Sequence, residues 1–438
     1  MALPSLAQEG GLDGRAALGL APLPTMSIAF GVSAGISEAA LATAFTTVVR
    51  RHAPLRSTLF RADDEKQLPD GAATGTAGGA PPLWRVRVDP PESAFIDYWS
   101  TSNEAEFLRA RPEARGGIQA PIAASAFKAE GGPERLVISV DHLSFDGVSI
   151  DLLTNEMNQV LDNLRSHSAP EDGLPRLEQD YYALAQSERA ALEHTLAECM
   201  PYWREALARC GPYPAVELPG LDPSPPAEPR ERVISEVWIG DLAPLRRFCQ
   251  AQQATPFVVF QAALATAISR LGGRYTGANT NASYRTDPRS WHLIGYFSNL
   301  ITFAPPAPPD PTLVRGWIDA LRKTAMEAIA QSQVPRSTLL RRLFPDTYPA
   351  RPAAPHLYFE LDSDPPEEPE ERALVRLPRD VGGKSVKSHP GLECTAVSFS
   401  DDRGLLRVAY QDGNCRPEAA RALLETWLDI VENELVKE

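Results

Sequence analysis

The sequence predicts an α/β fold in both halves of a 438-residue chain. Helical periods of apolar residues alternate with short strand-like runs throughout. A hydrophobic share of 43% beside a charged share of 23% describes a globular protein able to bury ordinary cores. The length suits two lobes rather than one small domain. There is no short-period repeat.

The elements follow in order. From Ser37 to His52, Leu41, Ala44, Phe45, Val48 and Val49 fall at helical spacing with one buried face. A strand is expected at Arg85–Val88 (RVRV) and another at Arg135–Val140 (RLVISV). The second runs directly into DHLSFDG, Asp141 to Gly147. After that loop, Leu153, Met157, Val160, Leu161 and Leu164 share a helical face. Strand, short polar loop and helix form an arrangement that presents loop side chains at an opening.

A polar stretch from Ser166 to Leu177 then marks a boundary, so the expected lobes are residues 1–170, carrying DHLSFDG, and 171–438. YYALAQSERAALEHTLAECMPYWREALA is helical, and Arg232–Trp238 reads as a strand. Thr255 and Pro256 have the N-cap and first-turn chemistry of a helix reaching Leu271, apolar all round and so central to its lobe. Further strands are expected at His356–Leu361, Cys394–Ser400 and Leu405–Gln411, the last two as a hairpin across DDRG. An amphipathic helix closes the series from about Pro417. The charged segment from Asp362 to His389 reads either as a crossover covering a cleft or as a solvated loop.

Charge and composition exclude several functions. A net charge of −14 without a basic stripe argues against nucleic acid and modestly disfavours acidic partners. Five cysteines without CxxC or histidines at ligand spacing predict reduced thiols and no metal site. The N-terminus has neither a basic nor an apolar signal region, and no apolar run is long enough to span a membrane, so a cytoplasmic location is expected.

The chemistry-bearing candidate is His142 in DHLSFDG. Alone, a histidine beside a strand is more often a hydrogen-bonded structural residue than a base. Its place at a strand-to-loop corner suits proton transfer, with Asp146 folding back to brace the loop. Other segments stand with it in order. They are SLAQE from Ser5, RHAPLRSTLF from Arg51, YWREAL from Tyr202, TPFVVFQAALATAISRL from Thr255, NASYRTDP from Asn281 and IGYFSNLITF from Ile294.

This series resembles the condensation domains of nonribosomal peptide synthetases over essentially the whole chain. The resemblance implies two chloramphenicol-acetyltransferase-like lobes in a V, with the motif loop at their junction. It implies transfer of an acyl or aminoacyl group from a carrier-protein phosphopantetheine thioester to an alcohol or amine, as in natural-product biosynthesis. By position, His142 matches the catalytic histidine, Asp146 the structural aspartate and Arg285 its basic partner. Gly147 matches the glycine whose N–H approaches the developing oxyanion. Ser144, Asn299 and Tyr296 are the substrate-tunnel candidates.

No cofactor is expected on this chain itself, the phosphopantetheine arm arriving with an acyl or peptidyl carrier protein. The end of the sequence soon after its last helix predicts a free-standing enzyme. Such an enzyme meets its carrier in trans, takes a small-molecule acceptor and forms esters ahead of amides.

One position departs from the family. Its first motif histidine is Asp141 here, which could stabilise the His142 imidazolium or face the other way along the strand. Asp141, Asp146 and Ser149 also satisfy DxxxxDxxS, the pattern of heterocyclization domains. A degenerate, non-catalytic docking module is a third reading, and Asp141 is the residue on which the three turn.

Overall fold

The computed structural model describes residues 2–18, 25–62, 84–90, 96–99, 121–129, 132–224, 230–348, 355–363, 371–377, 391–399 and 402–435. In chain order the first elements are α1 (Leu6–Leu18), β1 (Thr25–Val32), α2 (Glu38–Arg51), β2 (Ser57–Arg61) and β3 (Trp84–Val88). Next come β4 (Ile96–Trp99), β5 (Ile122–Ala129), β6 (Gly132–Asp141), α3 (Gly147–Arg165) and α4 (Tyr181–Cys210). The later half holds β7 (Val216–Glu217), β8 (Arg232–Ile239), α5 (Ala243–Ala251), α6 (Pro256–Arg270), β9 (Arg274–Tyr275) and β10 (Ala278–Ser283). It continues with β11 (Ser298–Phe303), α7 (Val314–Ala330), α8 (Arg336–Leu343), β12 (His356–Ser363) and β13 (Leu374–Arg376). The last three are β14 (Gly391–Ser398), β15 (Gly404–Gln411) and α9 (Pro417–Asp429).

Two compact units are present. One comprises Met1–Glu193, Ser283–Ser298 and Glu367–Arg379; the other comprises His194–Ala282, Asn299–Pro366 and Asp380–Glu438. This pattern differs from a single cut after residue 170, because two segments from late in the sequence pack with the first unit.

The first unit is built on a sheet of order β13-β1-β6-β5-β4, antiparallel except for the β4–β5 pair. Leu136, Ile138 and Val140 of β6 enter a core shared with Phe45 and Val48 of α2 and with Leu153 and Met157 of α3. Val137 and Ser139 are buried as well, so β6 is covered on both faces, which explains why RLVISV lacks a polar side. The charged Asp362–His389 segment contributes β13 to this sheet. Asn158 of α3 fastens it, donating from Nδ2 to the Leu374 carbonyl (3.0 Å) and accepting the Leu374 N–H (2.8 Å). The rest of that segment, residues 364–370 and 378–389, lies outside the described residues.

The second unit carries a sheet of order β11-β10-β12-β14-β15-β8. The β14–β15 pair is antiparallel, as the hairpin across DDRG requires. Thr255 caps α6 by accepting the Val258 N–H at 3.3 Å, and every residue from Val258 to Ile268 is buried. Trp427 of α9 donates to the Phe260 carbonyl at 3.0 Å. No helix among the described residues is long and apolar enough to cross a membrane.

Candidate active site

The motif loop is a short 3-10 turn, His142–Ser144, held between the end of β6 and the start of α3. Asp141 caps that turn, its Oδ1 accepting the Leu143 N–H at 2.8 Å. Burial pushes the Asp141 carboxyl above its ordinary range, while the Leu143 N–H and the neighbouring His142 pull it back. His142 Nδ1 lies 2.8 Å from the Phe145 carbonyl oxygen. A carbonyl only accepts, so Nδ1 carries the proton and Nε2 keeps its lone pair in the neutral ring. The edge of the imidazole meets Tyr296, with ring centroids 5.6 Å apart at 84°. His142 is half-buried, held in place without being sealed from solvent.

Asp146 begins α3 as its N-cap, Oδ1 accepting the Ser149 N–H at 2.9 Å. Arg285 donates from NH2 to both carboxylate oxygens, at 2.9 and 3.1 Å, and the Phe297 N–H reaches Oδ2 at 3.1 Å. The two side chains are only 4% and 6% exposed. The other arm of the guanidinium donates to the carbonyls of Ser290 (2.7 Å) and Leu293 (2.6 Å), and its carbon sits 4.1 Å from the Phe297 ring centroid. Ser149 Oγ lies 2.7 Å from Asp146 Oδ1 and accepts the Gly295 N–H at 3.1 Å. The charge pair is thus buried, hydrogen-bonded and committed to shape.

Two further groups support the loop, and sequence reasoning assigned neither a role. Ser5 and Gln8 form a capping box at the start of α1, each side chain bonding the other's backbone N–H at 3.0–3.1 Å. Gln8 Nε2 then donates to the Leu143 carbonyl at 2.7 Å. The Tyr181 hydroxyl bridges Ser5 Oγ and the Tyr296 carbonyl, each 2.9 Å away. His52 is the second support. Ile294 N–H donates to its Nδ1 at 3.2 Å, which puts the ring proton on Nε2, 3.1 Å from Glu156 Oε2. Burial alone would raise the Glu156 carboxyl, yet His52 and Arg51 hold it below its ordinary value. The S-x-x-Q spacing of SLAQE was a readable signal for the first support; His52 and Glu156, 104 positions apart, left none.

His142, Asp141, Ser144, Asp146, Gly147, Arg285 and Tyr296 are therefore gathered in one unit. Ser144 Oγ is buried and has no hydrogen-bond partner among the described residues. Gly147 is exposed at the helix start, where a methyl group would meet nothing within 4 Å. Its N–H is one of the first-turn donors that a helix cannot satisfy internally. Asn299 lies in the other unit, its Nδ2 donating twice and its Oδ1 accepting once. Oδ1 accepts the Arg336 N–H at 2.9 Å, and Nδ2 donates to the carbonyls of Ser332 (3.3 Å) and Val334 (3.2 Å). These bonds staple the turn before α8. Among the described residues, no group of three or more His, Cys, Asp or Glu is placed to hold a metal.

The family model for the condensation domain matches residues 119–349, more than half of the chain and inclusive of the whole motif loop and Arg285. The chain belongs to the condensation-domain family. Phosphinothricin tripeptide synthetase PhsB of Streptomyces viridochromogenes is 26% identical over 362 residues, 78% of this chain and 28% of that protein. The beauvericin nonribosomal cyclodepsipeptide synthetase of Beauveria bassiana is 31% identical over 216 residues, 48% of this chain and 7% of that synthetase. The chain thus spans well under a third of the length of these relatives.

Solved condensation-like structures share the fold. The X-domain from teicoplanin biosynthesis superposes with a TM-score of 0.72 at 17% identity, covering 98% of this chain and 95% of that one. SgcC5 from Streptomyces globisporus gives 0.71 at 17% identity, covering 99% of each. The mixed α/β architecture is that of condensation domains.

Proposed function

We propose that this condensation domain transfers an acyl or aminoacyl group from a carrier-protein phosphopantetheine thioester to an alcohol or amine, with His142 as general base. The observation that carries the reading is the His142 ring. Its Nδ1–H is spent on the Phe145 carbonyl, which leaves Nε2 as a proton acceptor on a loop braced from three sides. In the proposed step the acceptor's O–H or N–H gives its proton to Nε2 as oxygen or nitrogen bonds to the thioester carbon. The Gly147 N–H faces the oxyanion of the tetrahedral intermediate. Collapse breaks the carbon–sulfur bond, and Nε2 returns the proton to the departing thiolate. No charge is left over. An alcohol acceptor, hence ester formation, gains support from SgcC5, which was solved with a 1,2-ethanediol derivative bound.

A second reading, a docking module, is favoured by one observation. The X-domain has the same fold and was solved in complex with OxyB, with 19% identity to this chain in that complex. Asp141 no longer argues for it, since its carboxylate has a local duty as the cap of the turn. Heterocyclization draws less support, because Asp146 and Ser149 are both engaged in the brace. The test is incubation with acyl-loaded carrier proteins and a panel of alcohols and amines, read by mass spectrometry. An ester or amide product supports acyl transfer. A product one water lighter indicates ring closure, and tight binding of an oxygenase without turnover indicates docking.

A further inference from the structure

We propose that the second unit holds a binding site for a small monocarboxylate, with the buried Arg336 guanidinium as its anchor. Arg336 opens α8, and the buried residues of that helix are Arg336, Leu339 and Leu340. Positions i, i+3 and i+4 share a helix face, so a cation takes the first place of an otherwise apolar stripe. The Arg336 N–H goes to Asn299 Oδ1, which anchors the start of the helix. The residue is 9% exposed.

Its counter-charge is missing among the described residues. The buried carboxylates of Asp146 and Glu156 each meet a cation, Arg285 for the first and Arg51 for the second. Arg336 has only neutral partners. Nε donates to Thr302 Oγ1 at 3.0 Å, Nη2 donates to the Pro212 carbonyl, and the guanidinium carbon lies 5.4 Å from the Tyr213 ring centroid. Tyr348 and Cys210 are the other titratable groups close to it. Burial holds the Cys210 thiol up at about 11 against the pull of Arg336 and Arg209, so no thiolate balances the charge at neutral pH. Burial also pulls the Arg336 guanidinium down from its ordinary value, but an arginine keeps its proton throughout the physiological range. A buried cation held by neutral groups alone draws an anion from solution. Nη1 makes no hydrogen bond among the described residues and keeps its two N–H donors for that anion.

The surroundings select the class of anion. One uncompensated positive charge balances a monoanion, whereas a phosphate dianion calls for a second cation. Arg209, the other guanidinium near Cys210, is already committed to Glu205 (3.2 Å) and to the Ala304 carbonyl (3.2 Å). A carboxylate matches the planar donors of a guanidinium. The Tyr213 ring beside them favours an acid with an apolar body.

The test titrates the full chain by calorimetry with sodium benzoate, benzamide and inorganic phosphate at constant ionic strength. Benzoate should bind saturably and about tenfold or more tightly than benzamide or phosphate, the worth of one charged hydrogen bond. Arg336→Lys keeps the charge without the planar fork and should weaken benzoate about tenfold, while Arg336→Met should abolish its binding. Crystals soaked in 4-iodobenzoate locate the site without any substitution, and the carboxylate should lie on Nη1 of Arg336.

An absence of saturable benzoate binding, equal binding of benzamide or tighter binding of phosphate would overturn the proposal. So would unchanged affinity in a folded Arg336→Met protein, or iodine found only elsewhere on the chain. Where Arg336→Met does not fold, Arg336→Lys and the iodine position decide.

Discussion

Asp146 and Arg285 are separated by 139 positions and meet in a pair with almost no solvent access. Removing either partner leaves the other as a buried, uncompensated charge, which costs about 3–5 kcal/mol. Asp146→Ala and Arg285→Ala should each lower the melting temperature by an amount of that size, and the double variant should cost less than the two combined. Unchanged melting in the single variants would contradict the bracing role. Asp141 makes a finer prediction. As a cap it is replaceable by Asn, whose Oδ1 still accepts the Leu143 N–H, whereas Asp141→Ala loses about 1 kcal/mol. If Asp141 instead tuned the basicity of His142, Asp141→Asn would displace the pH–rate profile.

At the scale of elements, α1 is a support for the motif loop. Gln8→Ala leaves the Leu143 carbonyl and the Ser5 N–H without their partners, a cost of about 1–3 kcal/mol each when buried. Thermal melting should fall, and carrier-dependent turnover should fall with it because the turn bearing His142 is released. Retained turnover at reduced stability would separate α1 from the site.

What was legible in the sequence at this scale was whatever local periodicity encodes. The β6–turn–α3 unit, the capped α6 and the β14–β15 hairpin all stood in the pattern of residues. The duty of Asn299 did not, since its partners are 33–37 positions away and only folding brings them to its amide. The recruitment of β13 was hidden for the same reason: a three-residue strand in a charged stretch has no period, and Asn158 selects it from 216 positions away.

For the whole molecule, the residue pattern foresaw an α/β protein but not the discontinuous units, because chain order carries no record of which late segments return to an early sheet. One global property follows from a single side chain. Burial, reinforced by the charge of Asp287, pushes the Glu188 carboxyl from 4.5 up to about 7. The folded protein therefore binds that proton more tightly than the unfolded chain. Its contribution to stability is complete below about pH 4.5 and is lost as pH rises through about 7. Chemical denaturation midpoints should fall between pH 6 and 8 for wild type, by less for Glu188→Gln. The same fall in both proteins would assign the effect elsewhere.

The central claim is that His142 moves a proton during acyl transfer, and single-turnover kinetics with an acyl-loaded carrier protein test it most directly. His142→Ala should melt with the wild type and form ester or amide about 10²–10⁴-fold more slowly. A well-folded His142→Ala protein that transfers the acyl group at the wild-type rate would contradict the account.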